Sequence, residues 1–466
     1  MGSLQFVLPD RDEIWPAALE CAYLVGSDGL PWDTRVERLG NRLVASRATR
    51  ESGSLTTPWP VPGFGALALS TATLQPREAP YHLALELARG ALSRLLSQLD
   101  ASELRVEEIR QSLRAAEGHF IESSLQQSDL DRCAREAEAS LVASLECMQR
   151  RARRQSRERR EAASFSSRLF GLEAHGLEEL RQLRTLRRFP GNALLLNETW
   201  HDCERNPGER DVARWKECFR LARGARRRTV AGPLIDLHRH ALPDWLSLWA
   251  DDVEAIQTYA AQYVRDIVRA GQGHVHVWYA SSATNAGLGL RLSEEQRLRL
   301  TLVAIEALRG EDPQTPALVG IQQPWGEYLG RSTLDLSPLQ FADILLRADL
   351  GVSGFVLELP LANSAHHAFP RDLVDTQRLL DQWAAFSVPL VLRISLPTQA
   401  GLLEPSRLAY LSDLLQLAAA RPAVQGILWS QLRDLPGHEA GLFREDGHPK
   451  AVLQMLADLD KRARRS

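Results

Sequence analysis

The sequence predicts an α/β protein in which a (β/α)8 barrel is preceded by a small β-rich domain and a helical segment. Three observations predict it. From Arg168 onward, short apolar runs alternate with amphipathic stretches, the pattern of a parallel sheet covered by helices. Eight such runs start at Leu169, Ala193, Arg228, His274, Ala317, Gly354, Pro389 and Gln425, the strand count of a closed barrel. No glycine-rich phosphate turn follows the first run, although an open doubly wound sheet usually carries one. The expected segments are therefore 1–80 (β-rich), 81–165 (helical) and 166–466 (barrel).

In residues 1–80, Arg42–Ser46 and Ala66–Ser70 alternate as strands do, and turn residues around Ser27 and in the run Pro58–Gly65 break them. Trp59 and Phe64 read first as core and second as a flat surface for a sugar ring, because no other aromatic stands at strand spacing. From Tyr81 the period changes to 3.6, and Tyr81–Leu99 is apolar on one face. Ser128, with Asp131 three residues later, predicts the start of a second long helix. That helix ends in Arg150–Arg160, where seven arginines form either a solvated helix end or a surface for phosphates or an acidic partner. In the barrel segment, Ser293 before Glu294 and Glu295, and Ser337 before Pro338, mark helix starts.

Composition narrows the function classes. The 466 residues carry a net charge of −3, with 44% hydrophobic and 25% charged residues, an ordinary soluble balance that argues against nucleic acid as the main partner. No apolar run reaches the roughly 18 residues a membrane span requires. The N-terminus lacks the basic and apolar regions of a secretory signal, so a cytoplasmic location is expected. Five widely spaced cysteines without a CxxC read as reduced, buried thiols. Only three lysines are present and no GK[ST] occurs, which excludes a phosphate-binding P-loop; no cofactor is expected.

The C-terminal end carries the clearest motif. Gly426-Ile-Leu-Trp429-Ser-Gln-Leu-Arg-Asp434 and then Gly441-Leu-Phe-Arg-Glu-Asp-Gly-His-Pro-Lys450 resemble the closing strand and last loop of glycoside hydrolase family 10, the xylanase-type barrels. Trp200, in Asn197-Glu-Thr-Trp200, matches a tryptophan of the family's second strand, where Thr199 replaces a lysine and Leu195-Leu196 replace a Glu-Asn pair. His238, in Asp236-Leu-His238, matches the histidine ending the third strand. Trp278-Tyr-Ala-Ser-Ser-Ala-Thr-Asn285 resembles the family's fourth strand, and the resemblance puts its acid/base glutamate on Ala283 or Ala286. The seventh-strand nucleophile has no counterpart, since no acid lies between Asp381 and Glu404.

Retaining hydrolysis needs two carboxyl groups about 5–5.5 Å apart, one to protonate the leaving oxygen and one to attack. The resemblance therefore implies a barrel that recognises a β-linked carbohydrate, with hydrolysis lost or carried by relocated carboxylates. Asp236, Glu327 and Glu358 are the candidates near strand ends, and Glu358 reads alternatively as a salt-bridge partner of Arg393. Trp200, Trp278, Trp325 and Trp429, with His238, Asn285, Gln323 and Asp434, are the candidate sugar contacts. A non-catalytic scaffold, meeting protein partners through the N-terminal β-domain and the arginine-rich helix, is the alternative. A lesser alternative is a metal-dependent amidohydrolase-like enzyme, suggested by His238-Arg-His240, although no metal site is assigned.

Overall fold

The structure, a computed structural model, describes residues 2–9, 19–159, 168–181, 191–287, 289–331, 334, 336–361, 369–395, 405–434 and 440–465. The N-terminal strands are β1 (Gly2–Val7), β2 (Tyr23–Val25), β3 (Pro31–Trp32), β4 (Arg35–Leu39), β5 (Arg42–Arg47), β6 (Ser54–Val61), β7 (Gly65–Ser70) and β8 (Tyr81–His82). They form two four-stranded sheets, β4-β5-β1-β8 and β3-β2-β6-β7.

Helices α1 (Leu83–Leu96), α2 (Glu107–Leu125) and α3 (Leu130–Arg159) follow. The sequence reading expected the first and third and did not single out α2. It placed the start of α3 at Ser128. The cap is instead Asp129, whose carboxylate accepts from the Arg132 amide at 3.0 Å. Strands and helices share one hydrophobic core that contains Phe6, Leu24, Leu55, Trp59, Leu87 and Leu141. The described residues up to 159 thus pack as one body across the expected boundary at 80/81, with Trp59 inside it.

The barrel strands are β9 (Leu169–His175), β10 (Ala193–Asn197), β11 (Arg228–Ala231) continued by β12 (Ile235–Asp236), β13 (Val277–Ser282), β14 (Ala317–Ile321), β15 (Val352–Pro360), β16 (Leu390–Ser395) and β17 (Val424–Trp429). All pairings among them are parallel. The sheet closes where β17 pairs with β9, Gly426 opposite Leu169. The outer helices are α4 (Gly176–Arg181), α5 (Trp200–Cys203), α6 (Val212–Gly224), α7 (Val253–Gly271), α8 (Glu294–Glu311), α9 (Pro338–Arg347), α10 (Leu373–Ala384), α11 (Pro405–Ala419) and α12 (Ala451–Arg465). Ser293 and Ser337 each complete a capping box, with Gln296 and Gln340.

The N-terminal body docks on the side of the barrel. Val374 of α10 belongs to the N-terminal core, and Arg94 of α1 pairs with buried Asp372 at 3.0 Å. Arg151 of α3 bonds Glu103, the Gln98 carbonyl and Gln377 of α10, while Arg153 pairs with Asp413 of α11 at 2.7 Å. Part of the arginine run is therefore an internal clamp. The five cysteines are free and buried, and no described helix is long and apolar enough to cross a membrane.

Candidate functional site

Strand alternation decides what reaches the barrel interior. Leu195, Val230, Leu318, Val356, Val391 and Leu428 form an apolar layer inside the barrel. Two residues further along their strands, with the same parity, stand Asn197, Glu358 and Arg393, and Glu173 joins them from β9. A charged layer therefore lies on the apolar one at the C-terminal ends of the strands, the end where barrel sites gather.

Arg393 is the hub of this layer. Its Nε and Nη2 donate to the two oxygens of Glu173 at 2.7 and 2.9 Å, and its Nη1 donates to Glu358 Oε2 at 2.9 Å. Glu358 Oε2 also accepts from Gln322 at 3.2 Å, and its Oε1 accepts from Tyr279 at 2.8 Å and Ser282 at 2.5 Å. Asn197 donates to Glu173 Oε1 at 2.7 Å. Glu358 thus accepts from four donors and Glu173 from three, with Arg393 common to both. Burial opposes ionisation of Glu173, yet the Arg393 guanidinium holds its carboxyl below the usual range. Burial likewise works against the Arg393 cation, and Glu173 and Glu358 overcome it, keeping the guanidinium firmly charged.

Beside this triad, Asp236 Oδ1 lies 2.6 Å from His238 Nδ1, and Gln322 Nε2 lies 2.7 Å from His238 Nε2. Burial opposes the charge on both Asp236 and His238, but their mutual bond lowers the Asp236 pKa and raises that of His238. With the Gln322 amide nitrogen between Glu358 and the ring, the geometry suits a neutral imidazole accepting at Nε2. Protonation of His238 requires the Gln322 amide to turn its oxygen toward the ring.

No family model matches the chain, and no curated protein matches it either. Solved structures do. Xylanase 10B from Thermotoga maritima superposes with a TM-score of 0.53 at 14% identity, covering 66% of this chain and 99% of that one. Xylanase 10B from Thermotoga petrophila RKU-1, solved in complex with xylobiose, gives 0.51 at 13% identity, covering 67% and 97%. A family 10 enzyme from Paenibacillus barcinonensis gives 0.50 at 14%, covering 65% and 97%. The barrel has the fold of the family 10 xylanases.

In this xylanase-type barrel the sequence-predicted residues divide sharply. Glu358, Asp236 and His238 meet at the strand ends. Asn285 joins the β13 and β14 loops, exchanging bonds of 2.8 and 2.9 Å with the Gln322 backbone, and Gln323 lies buried beside it in that loop. Glu327 stands apart, 3.7 Å from Arg371 at the interface with the N-terminal body, where burial pushes its carboxyl up. Asp434 accepts from Lys450 Nζ at 2.5 Å and from the Gly441 amide at 2.9 Å, fastening the last loop.

The tryptophans do not line one groove. Leu428 faces inward, so Trp429 faces the helices; Trp278 likewise lies outside the barrel wall, bonded to Asp312 at 2.9 Å. Trp200 is buried against Tyr263, with ring centroids 5.2 Å apart. Trp325, half-buried, lies 5.3 Å from the Arg371 guanidinium at the domain interface. Among the described residues no group of three or more His, Cys, Asp or Glu side chains is placed to hold a metal, and His238 has both ring nitrogens engaged.

Sequence reasoning named neither Glu173, Asn197, Tyr279, Ser282 nor Gln322 as a site residue. For Glu173 the signal was available: it is an acid in an apolar strand, two residues beyond Gly171, with Phe170, Leu172 and Ala174 packing outward.

Proposed function

We propose that this protein is a carbohydrate-recognising barrel of the xylanase fold that does not hydrolyse glycosidic bonds by the two-carboxylate route. The observation that carries this reading is Arg393 on the seventh strand, bound at once to Glu173 and Glu358. A general acid must hold a proton and a nucleophile must offer a free lone pair. Both conditions are opposed at Glu358 and Glu173, because four donors already bond Glu358, three bond Glu173, and the Arg393 guanidinium is among them on each. The fourth and seventh strands offer no replacement, since the sequence has no acid from 267 to 293 or from 382 to 403.

Recognition of a saccharide is supported by the fold and by the polar groups gathered at the strand ends, His175 among them with its side chain 46% exposed. The test is calorimetric titration with xylo- and cello-oligosaccharides of wild type and His175→Ala. Saturable binding weakened by His175→Ala supports the reading; no heat from either series contradicts it. A second reading, a non-catalytic scaffold, is favoured by the burial of Trp200, Trp278 and Trp429 in the core, away from any sugar.

A further inference from the structure

A groove of about 430 Å³ lies between the N-terminal body and the barrel, apart from the strand ends. Its volume is that of a small-molecule site, typically about 300–1,000 Å³. One face of the β3-β2-β6-β7 sheet forms its floor. Tyr23, Thr56 and Ser70 are cross-strand neighbours on that face, with Val25 and Ser54 in the next row. The opposite face sends Leu24, Leu55 and Leu69 into the core. A sheet face packed under helices is ordinarily apolar, whereas this one presents hydroxyl groups.

The walls carry charge. Arg94 from α1, Arg378 from α10 and Arg371 line the groove with Asp375, while Asp372 pairs with Arg94 at 3.0 Å and Glu327 with Arg371 at 3.7 Å. Arg94 is tied to Asp372 and to the Ser70 carbonyl. Arg371, 5% exposed, donates through Nη2 to the Tyr23 hydroxyl, pairs with Glu327 at 3.7 Å and packs 5.3 Å from the Trp325 ring, but its Nε has no acceptor among the described residues. A buried guanidinium N–H without an acceptor is uncommon and asks for one. Arg378 is 40% exposed and reaches across the groove to Ser97 at 2.9 Å.

We propose that this groove binds a saccharide bearing a carboxylate, a uronic acid unit of mono- or disaccharide size. Arg371 and Arg378 face the carboxylate, since guanidinium groups suit planar anions. Ser54 and Ser70, both partly exposed, meet the sugar hydroxyls as donors and acceptors, with buried Thr56 bonded to the Ser70 hydroxyl at 2.8 Å behind them. Trp325 supplies a flat apolar edge. This site is separate from the barrel mouth and does not depend on the reading proposed for it.

Calorimetric titration of the full chain with digalacturonate tests the proposal, with cellobiose and inorganic phosphate as comparison ligands. Saturable binding of digalacturonate is expected, weakened about tenfold or more by Arg378→Gln, where one charged contact is lost. Ser93→Phe, which fills the groove from an exposed position on α1 and leaves every charge in place, is expected to abolish it. Asn197→Ala at the barrel mouth is expected to leave it unchanged. No binding of digalacturonate overturns the proposal, as does equal binding of cellobiose or phosphate. Loss of binding in Asn197→Ala, or its persistence in Ser93→Phe, also overturns it by placing the ligand elsewhere.

Discussion

Arg393 on the seventh barrel strand grips both carboxylate oxygens of Glu173 on the first, at 2.7 and 2.9 Å, and its remaining nitrogen holds Glu358 on the sixth. One cation thus joins three strands across the barrel end. Glu173 is wholly buried and Glu358 nearly so, which makes the triad an interior ion network rather than a solvated cluster. Removing one member of such a network leaves an uncompensated charge inside the protein.

Arg393→Leu is therefore expected to destabilise the fold by about 3–5 kcal/mol. Replacing Glu173, Glu358 and Arg393 together by leucine should recover most of that loss, because no charge is then stranded. Urea unfolding of the single and triple variants checks both statements.

The pH dependence follows from the shifted groups. Glu173 and Asp236 have folded pKa values below their ordinary ones, so their stabilisation is full above the ordinary carboxylate range and is lost as pH falls through the folded values. His238 is shifted the other way: its contribution is full below about pH 6.5 and is lost as pH rises through its folded value. Thermal melts should show an acid limb that is shallower in Asp236→Asn, and a weaker alkaline decline that disappears in His238→Gln.

Gly320 sits on β14 against the Tyr279 hydroxyl, and a Cβ added there meets that oxygen directly. Gly320→Ala should push Tyr279 away from Glu358 and cost about 1–3 kcal/mol as an overpacking defect. Tyr279→Phe, which only deletes the hydroxyl, should cost about 1 kcal/mol. Denaturation midpoints of the two variants distinguish these effects.

Within the arginine run, position and not charge should decide the outcome. Arg151 is buried among Glu103, Gln98 and Gln377, so Arg151→Ala should cost about 3–5 kcal/mol by stranding Glu103 and loosening α3 from the barrel. Arg154, in an exposed pair with Glu158, should change stability by no more than about 0.5 kcal/mol when replaced by alanine. Parallel unfolding curves decide it.

The fold was legible because its signals are local. The strands that the sequence places at Leu169, Ala193, Arg228 and Ala317 begin there, and the remaining four begin within three residues of their expected starts. The Ser293 and Ser337 caps were equally readable, being fixed by residues three positions apart. The site was legible only in part. The pairing of Glu358 with Arg393 was readable because the two stand near the C-terminal ends of adjacent strands. Trp278 and Trp429 were misplaced because a match of residue type does not fix strand parity: an inward Leu428 forces the next ring outward. Glu173 escaped notice because its partner Arg393 lies 220 residues away, a separation no local pattern encodes.

The proposed absence of glycoside hydrolysis by the carboxylates bound to Arg393 is tested most directly by the rate of reducing-sugar release from xylan, and of phenol release from an aryl β-xyloside, by wild type and Glu358→Gln side by side. Background rates in both proteins are expected. Clear turnover by the wild type that is abolished in Glu358→Gln would contradict that proposal and make Glu358 a catalytic residue.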